Sequence, residues 1–205
     1  HLCGEIARVR EKGVAITRDN LKISDRAVMV LPIHPMQDKW EEARLGKDHF
    51  GSTLRGISPV YGDKYMKKAL RMADLFAPED VLYEEVKELV EYKNLTIEGV
   101  YHAEGEKTDA IMQWLKTYGE PLKPYVCDVC TYLDEADKAG KTIMFEAQLG
   151  ALRDIDFGIY PYTSSSSTIR MMSLCVYIIL SCFYSVFRNL PFSPKIHGIH
   201  FNPRN

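Results

Sequence analysis

Hydrophobic residues recur at helical spacing along most of the chain. Intervals of three and four residues separate Leu82, Val86 and Val90, for example, so these side chains share one face of a helix. Gly13 follows the first such segment and ends it, as glycine commonly does at a helix C-terminus. The spacing predicts helices over residues 2–10, 36–45, 63–75, 78–92, 109–118 and 125–139.

Two short apolar runs interrupt the helical pattern and predict strands. Residues 27–31 are continuously apolar, which indicates a strand buried on both faces. Residues 142–145 form the second run and lead into a glycine-punctuated loop. Buried strands among helices are typical of α/β proteins, and helices outnumber strands here. We therefore predict an α-rich section of an α/β fold.

A polar, glycine-rich stretch at residues 51–64, with the sequence GSTLRGISPVYGDK, separates two predicted helices. Glycine lets a backbone approach a ligand closely. Hydroxyl and backbone N–H groups can donate to phosphate oxygens, and Arg and Lys neutralise their charge. The stretch therefore predicts a loop that binds an anionic, phosphorylated ligand. The Thr53 hydroxyl is a candidate donor, with a turn-capping role as the alternative.

The overall composition narrows the class of protein. A chain of 205 residues that is 46% hydrophobic can bury a sizeable core, and a formal net charge of −2 argues against a general nucleic-acid binder. The five cysteines and the lack of a secretory signal favour a reducing compartment. The first residue is not methionine, and we expect the chain to begin inside a longer gene product.

Cys127 and Cys130 form a CxxC motif. A zinc site would need two further ligands, and redox-active pairs follow a strand at the start of a helix. Because the motif falls inside the helix predicted over 125–139, we predict two buried structural cysteines. Among the histidines, we expect His34 to be a structural hydrogen-bonding residue. His49, beside the glycine-rich loop, is the candidate to lie near a ligand.

Residues 171–187 carry no charge and lie between Arg170 and Arg188. Seventeen residues is close to the lower limit for a membrane-spanning helix, and three serines dilute the run. A membrane segment and a core helix are two interpretations. We favour a third, translation of non-coding or out-of-frame sequence, and expect no membrane association.

Several ordered blocks resemble the adenylosuccinate synthetase family. The family motif G-T-T-x-x-G-I-G-P-x-Y-x-x-K-x-x-R is matched by GSTLRGISPVYGDKYMK at residues 51–67, with Ser58 in place of the third glycine of the loop. A second family block is matched over residues 145–167. We divide the chain into a family-like central region, 1–168, and a divergent apolar, proline-containing tail, 169–205. The resemblance implies the α-rich central section of a P-loop-type α/β enzyme with an incomplete sheet.

The resemblance also implies an activity, the GTP-dependent ligation of IMP and L-aspartate in AMP biosynthesis. It implies Mg²⁺ as a cofactor and a cytoplasmic homodimer that binds no nucleic acid. The family's catalytic Asp base and His acid have no counterpart in this chain, so we predict that the chain is incomplete and inactive alone. The alternative is a degenerate, non-catalytic remnant that only binds IMP or a partner subunit.

Individual site residues follow from the same resemblance. Lys64 is the lysine of the active-site motif, and the hydroxyls of Thr53 and Ser164 are expected at the IMP phosphate. Lys67 replaces an Arg that crosses a dimer interface to that phosphate, and lysine lacks the bidentate fork of arginine. Leu149 stands where the family has a Gln that contacts the purine, and its side chain can donate no hydrogen bond.

Further charged residues flank these positions. Arg55 and Arg71 are additional cations near the loop. Asp154 and Asp156, in the second block, could form a metal pair or two satisfied carboxylates at a turn. We assign no metal to them.

Overall fold

The computed structural model describes residues 1–146 and 150–169, and most of them are helical. The α-helices are α1 (Leu2–Glu11), α2 (Ile33–Leu45), α3 (Ile57–Tyr65), α4 (Glu79–Gly99), α5 (Thr108–Trp114) and α6 (Val129–Lys138). Short 3-10 turns occupy Gly46–Asp48, Met72–Phe76, Glu120–Tyr125 and Ala151–Arg153, and a π-helical turn occupies Leu115–Gly119.

The described residues contain one small parallel sheet. It pairs β1 (Ile23–Ser24) with β2 (Val126–Cys127), in the register Ile23 to Val126 and Ser24 to Cys127. Parallel strands need a crossover, and here helices α2 to α5 lie between the two strands in the chain. The described part is thus α-rich with a small parallel sheet, in agreement with the sequence.

The predicted strand at residues 27–31 is wrong. Only Val28 forms a bridge, to Arg71, and the segment runs extended without a ladder. Met29 and Leu31 are buried, but Val30 is 36% exposed, so the segment buries one face rather than two. Residues 142–145 also form no strand, and Met144 is 87% exposed. Strands require a hydrogen-bonded neighbour, and no described segment offers one to residues 142–145.

Several helix boundaries differ from the predicted ones. The helix that leaves the glycine-rich loop covers Ile57–Tyr65 instead of 63–75, because Gly56 starts it in the left-handed region and Lys67, with φ +62°, ends it. The helix predicted over 78–92 extends to Gly99. Helices α1 and α2 lie close to their predicted ranges.

The hydrophobic core surrounds α4. Its buried side chains pack against α5 and against the segments that precede α2 and follow α3. The core consists of Met29, Leu31, Ile33, Leu70, Met72, Leu75, Leu82, Val86, Leu89, Val90, Ile97, Ile111 and Leu115. Since α2 also contributes to this core, the helix before the glycine-rich loop is firmly fixed.

The prediction of two buried cysteines inside a helix is wrong. Cys127 is the last residue of β2 and is half-buried, and Cys130 lies in the first turn of α6 and is exposed. The helix begins at Val129 because the Asp128 side chain accepts hydrogen bonds from the N–H groups of Cys130 and Thr131.

In the part of the chain that the structure describes, no helix has the length and apolar character needed to span a membrane. The apolar run at 171–187 lies outside the described residues.

Candidate functional site

The glycine-rich loop is held against one face of α2 by two carboxylates. Asp38 is buried, and its Oδ2 atom accepts hydrogen bonds from the Ser52 hydroxyl at 2.7 Å and from the Gly56 N–H at 3.0 Å. One turn further along α2, Glu42 accepts from the N–H groups of Phe50 at 3.1 Å and Gly51 at 3.0 Å. The loop therefore has a defined path before any ligand binds.

Sequence reasoning missed the two loop-holding carboxylates. Asp38 and Glu42 lie four residues apart, so they share a helix face, and they immediately precede the loop. That spacing is a usable signal, because orphan N–H groups in a glycine-rich loop need acceptors. The hydrogen bonds leave Thr53 exposed while the neighbouring Ser52 hydroxyl is bound to Asp38.

Gly56 joins the loop to α3 at a point where no other residue fits. Its φ is +76°, in the left-handed region. A β-carbon there would lie 2.6 Å from the backbone nitrogen of Pro35 and 2.7 Å from the carbonyl carbon of His34. The missing side chain thus lets the start of α3 touch the start of α2.

A buried polar cluster lies beneath this contact. The His34 Nδ1 atom accepts the Leu31 N–H at 2.9 Å, so Nε2 carries the proton that is shared with Asp63 Oδ2, also at 2.9 Å. Lys93 Nζ, from α4, lies 2.6 Å from Asp63 Oδ1 and donates to Gln37 Oε1 at 2.9 Å. His34 is therefore a structural hydrogen-bonding residue, as the sequence predicts, and the cluster ties α2, α3 and α4 together.

Burial and pairing shift the pKa values of this cluster. Desolvation lowers the pKa of His34, and the nearby positive charge of Lys93 lowers it further. The hydrogen bond to Asp63 and the charge of that carboxylate raise this pKa, but they do not outweigh the other two effects. Protonation of Nδ1 would also break its bond to the Leu31 N–H. Burial raises the pKa of Asp63, but the hydrogen bonds from His34 and Lys93 outweigh it, so the pKa of this carboxyl lies below its usual value.

The lowered pKa of His34 predicts a loss of stability in mild acid. Below about pH 6.5 the unfolded chain protonates this histidine and the folded chain does not, so the free energy of unfolding falls by up to about 1.4 kcal/mol per pH unit. His34→Asn keeps an acceptor for the Leu31 N–H and should remove this contribution. Urea unfolding between pH 7.5 and 5 measures the free energy of unfolding in each variant. His49→Asn is the control, because the His49 side chain is 57% exposed. Identical profiles for both variants would contradict the prediction.

Three cations meet at the other end of α3. Lys64, Lys67 and Arg71 line an open polar depression of about 260 Å³, together with Val28, Ala69 and Asp74. Lys67 reaches this position because its left-handed backbone ends the helix. Arg55 is not part of the group, since its guanidinium lies 3.4 Å from the His1 imidazole.

Asp154 organises residues 150–169, which include most of the second block. The hydrogen bonds that this carboxyl accepts lower its pKa to about 2. The bond from the Ile169 N–H has the largest effect. The Asp154 side chain accepts from the N–H groups of Asp156, Phe157 and Ile169 and from the hydroxyls of Ser167 and Thr168. Both oxygens are thus occupied, and no cluster of three or more potential metal ligands occurs in residues 1–146 and 150–169.

A serine pair connects the second block to the glycine-rich loop. The Ser165 hydroxyl donates to Ser58 Oγ, in the first turn of α3, at 3.0 Å. A glycine at position 58 could not accept this bond. Ser164, the residue before Ser165, is half-buried, and its hydroxyl lies 3.2 Å from the Ser166 hydroxyl. The structure thus brings the two predicted blocks together at α3.

Only some of the predicted site residues lie close to one another in the structure. Lys64 and Lys67 share one depression, but no described hydrogen bond or ion pair joins Thr53 or Ser164 to it. His49 lies beside the loop, with its Nδ1 atom 3.3 Å from Glu42. Leu149, and Gln148 before it, lie outside the described residues.

Comparisons with known proteins agree on one family. A family model described as adenylosuccinate synthetase matches residues 1–181. Adenylosuccinate synthetase of Halothermothrix orenii is 42% identical over 166 residues, which are 81% of this chain and 38% of that protein. The Bacillus subtilis enzyme is 37% identical over 177 residues, 86% of this chain and 40% of that protein.

A solved structure supports the same conclusion. The structure of fully ligated adenylosuccinate synthetase from Plasmodium falciparum superimposes with a TM-score of 0.66 at 26% sequence identity, over 82% of this chain and 38% of that one. The α-rich described part therefore has the α/β fold class of this relative. The chain spans about 38–40% of the length of these relatives.

Proposed function

Because the chain belongs to the adenylosuccinate synthetase family, we propose that it forms the IMP-binding portion of an enzyme that joins IMP to L-aspartate at the expense of GTP. The family is one of ligases in purine biosynthesis, and this reaction leads to AMP. The observation that carries the proposal is the glycine-rich loop, fixed by Asp38 and Glu42 with the Thr53 side chain exposed.

In this proposal the chain's own residues bind and orient the IMP phosphate. The Thr53 hydroxyl donates to a phosphate oxygen from the fixed loop, and the Ser164 hydroxyl donates from the second block. Lys64 contributes a positive charge next to the phosphate. An anchored loop loses little conformational freedom when the ligand binds, and this favours affinity. Leu149 stands where the family has a Gln that contacts the purine, and its side chain can donate no hydrogen bond.

Lys67 has a further proposed role across a homodimer. It lies in an exposed depression with Lys64 and Arg71, where the charge of a phosphate would be stabilised. We place it towards the IMP phosphate of a second subunit in a cytoplasmic homodimer. Lysine supplies a point charge there, without the planar fork of arginine.

Mg²⁺ and GTP belong to the proposed reaction, in which the metal would neutralise the transferred phosphoryl group. Asp154 is not a suitable Mg²⁺ ligand, since N–H and O–H donors occupy both of its oxygens. We therefore assign neither Mg²⁺ nor GTP to a described residue.

IMP binding to the purified chain, measured by calorimetry, tests the proposal. Thr53→Ala removes one donor to a charged group, so we expect a dissociation constant about 10- to 100-fold larger. Thr117→Ala, at an exposed threonine of the π-helical turn, is the control and should leave binding unchanged. An unchanged affinity in Thr53→Ala, or no IMP binding at all, would refute the role of the loop.

Complementation of a defective relative distinguishes the two candidate functions. We expect the chain to bind IMP and yet form no adenylosuccinate when IMP, L-aspartate, GTP and Mg²⁺ are supplied. A remnant that only binds would do the same. The chain must therefore also be mixed with an intact relative that carries alanine at the position equivalent to Thr53, to see whether turnover is restored. Restored turnover would favour the enzyme portion, whereas binding without any complementation would favour the non-catalytic alternative.

A further inference from the structure

Cys127 and Cys130 occupy a junction between a strand and a helix. Cys127 ends β2, Asp128 caps the helix, and Cys130 lies in the first turn of α6. Redox-active cysteine pairs commonly have this spacing at the start of a helix. Both residues are free thiols here, with Cys130 exposed and Cys127 half-buried.

A cation adjoins the exposed thiol. The Arg26 Nη1 atom lies 3.3 Å from Cys130 Sγ, and this contact joins residues that are 104 positions apart in the chain. Arg26 is brought there by the sheet, since it follows β1, which pairs in parallel with β2. A neighbouring guanidinium is one of the features that mark reactive cysteines.

Asp128 is the opposing charge at this junction. Its carboxylate accepts hydrogen bonds from the N–H groups of Cys130 and Thr131. Arg26 offsets that charge, and its attraction contributes to the lowered pKa of Asp128, after the larger effect of the hydrogen bonds from Thr131 and Cys130. The guanidinium thus attracts the Asp128 carboxylate that caps the helix and also contacts the Cys130 thiol.

We propose that Cys127 and Cys130 are a redox-active pair that exchanges with small-molecule disulfides. The Cys130 thiolate attacks one sulfur of the small disulfide, whose S–S bond breaks to release one thiolate. Cys127 then loses its proton to solvent and attacks Cys130 Sγ in the mixed disulfide, and the second small thiol leaves. The protein pair is oxidised by two electrons, and the small disulfide is reduced to two thiols.

Exposure and backbone contacts assign the two roles. Cys130 is exposed and beside Arg26, so it is the attacking residue. Cys127 is half-buried, and its carbonyl oxygen accepts the Asp25 N–H at 3.0 Å, so its backbone is fixed by the sheet. It is therefore the resolving residue. The proposal rests on these contacts and not on the proposed function.

Equilibration of the full chain with oxidised and reduced glutathione tests the proposal. After an acid quench and alkylation, mass spectrometry of the peptide that contains both residues should show an intrachain disulfide, reversed by dithiothreitol. Cys3, whose thiol contacts the Tyr118 carbonyl, should remain alkylatable as a single-thiol reference. A peptide that stays a dithiol under excess oxidised glutathione, or that carries only a glutathione adduct, would overturn the proposal.

Variants separate the roles of the residues. Cys127→Ser should trap a stable glutathione adduct on Cys130, and Cys130→Ser should react much more slowly. Arg26→Gln should slow alkylation of Cys130 by iodoacetamide several-fold at pH 7, with partial recovery in Arg26→Lys and no change at Cys3. Equal alkylation rates in the two Arg26 variants and the parent chain would contradict the role of Arg26.

Discussion

Gly56→Ala is expected to lower the free energy of unfolding by about 2–5 kcal/mol. The alanine must adopt a φ of +76°, which costs about 1–2 kcal/mol for a residue with a β-carbon. The same β-carbon would lie within 2.7 Å of backbone atoms of His34 and Pro35, and backbone cannot rotate away as a side chain can. The start of α3 would then separate from α2, and the N–H at position 56 would lose its bond to Asp38.

Gly51→Ala is the matched control for this substitution. Gly51 has a φ of +73° in the same loop, but a β-carbon there meets no atom within 4 Å. It should cost only the conformational contribution, about 1–2 kcal/mol. Urea unfolding of both variants measures the difference, which isolates the steric contribution. Equal losses in the two variants would show that α2 and α3 can move apart without cost.

Asp63→Ala is expected to cost about 3–5 kcal/mol, because it leaves a buried charge without its partner. The Lys93 side chain is 4% exposed and lies 2.6 Å from the Asp63 carboxylate, so its ammonium group would remain in the core with only Gln37 as an acceptor. The Nε2 donor of His34 would lose its acceptor as well. The three helices that carry the cluster should therefore loosen together.

An exposed ion pair provides the comparison for Asp63. Asp134 and Lys138 on α6 are also 2.6 Å apart, but their side chains are 59% and 73% exposed. Asp134→Ala should change the free energy of unfolding by no more than about 0.5 kcal/mol. Combining Asp63→Leu with Lys93→Met removes both buried charges and should restore much of the stability. If the single and double variants were equally unstable, packing rather than the unpaired charge would explain the loss.

The local pattern of residues predicted some parts of the fold well. Helix α1 and the first half of α4 have regular apolar spacing, and both are present. The ordered blocks around residues 51–67 and 145–167 were sufficient to indicate the family, which the comparisons confirm. Roles for Thr53, Lys64, Lys67, Leu149 and Ser164 remain predictions.

Other parts could not be obtained from local pattern. An apolar run such as 27–31 has the composition of a strand, but a strand exists only where a second segment completes its hydrogen bonds, and here a single bridge to Arg71 forms. The surroundings of the CxxC motif were predicted wrongly for a similar reason. Asp128 caps α6 after a strand that depends on pairing with β1, more than 100 positions earlier in the chain.

The sequence by itself determined the family, the helical character and the glycine-rich loop, because these depend on residue type and on spacing along the chain. Only the tertiary structure decided that Asp38 and Glu42 hold the loop, that His34, Asp63 and Lys93 share a buried cluster, and that Arg26 meets Cys130. Each of these contacts depends on a distance between atoms of different segments. Such distances are set by how the helices pack around the common core, and residue order alone does not specify them.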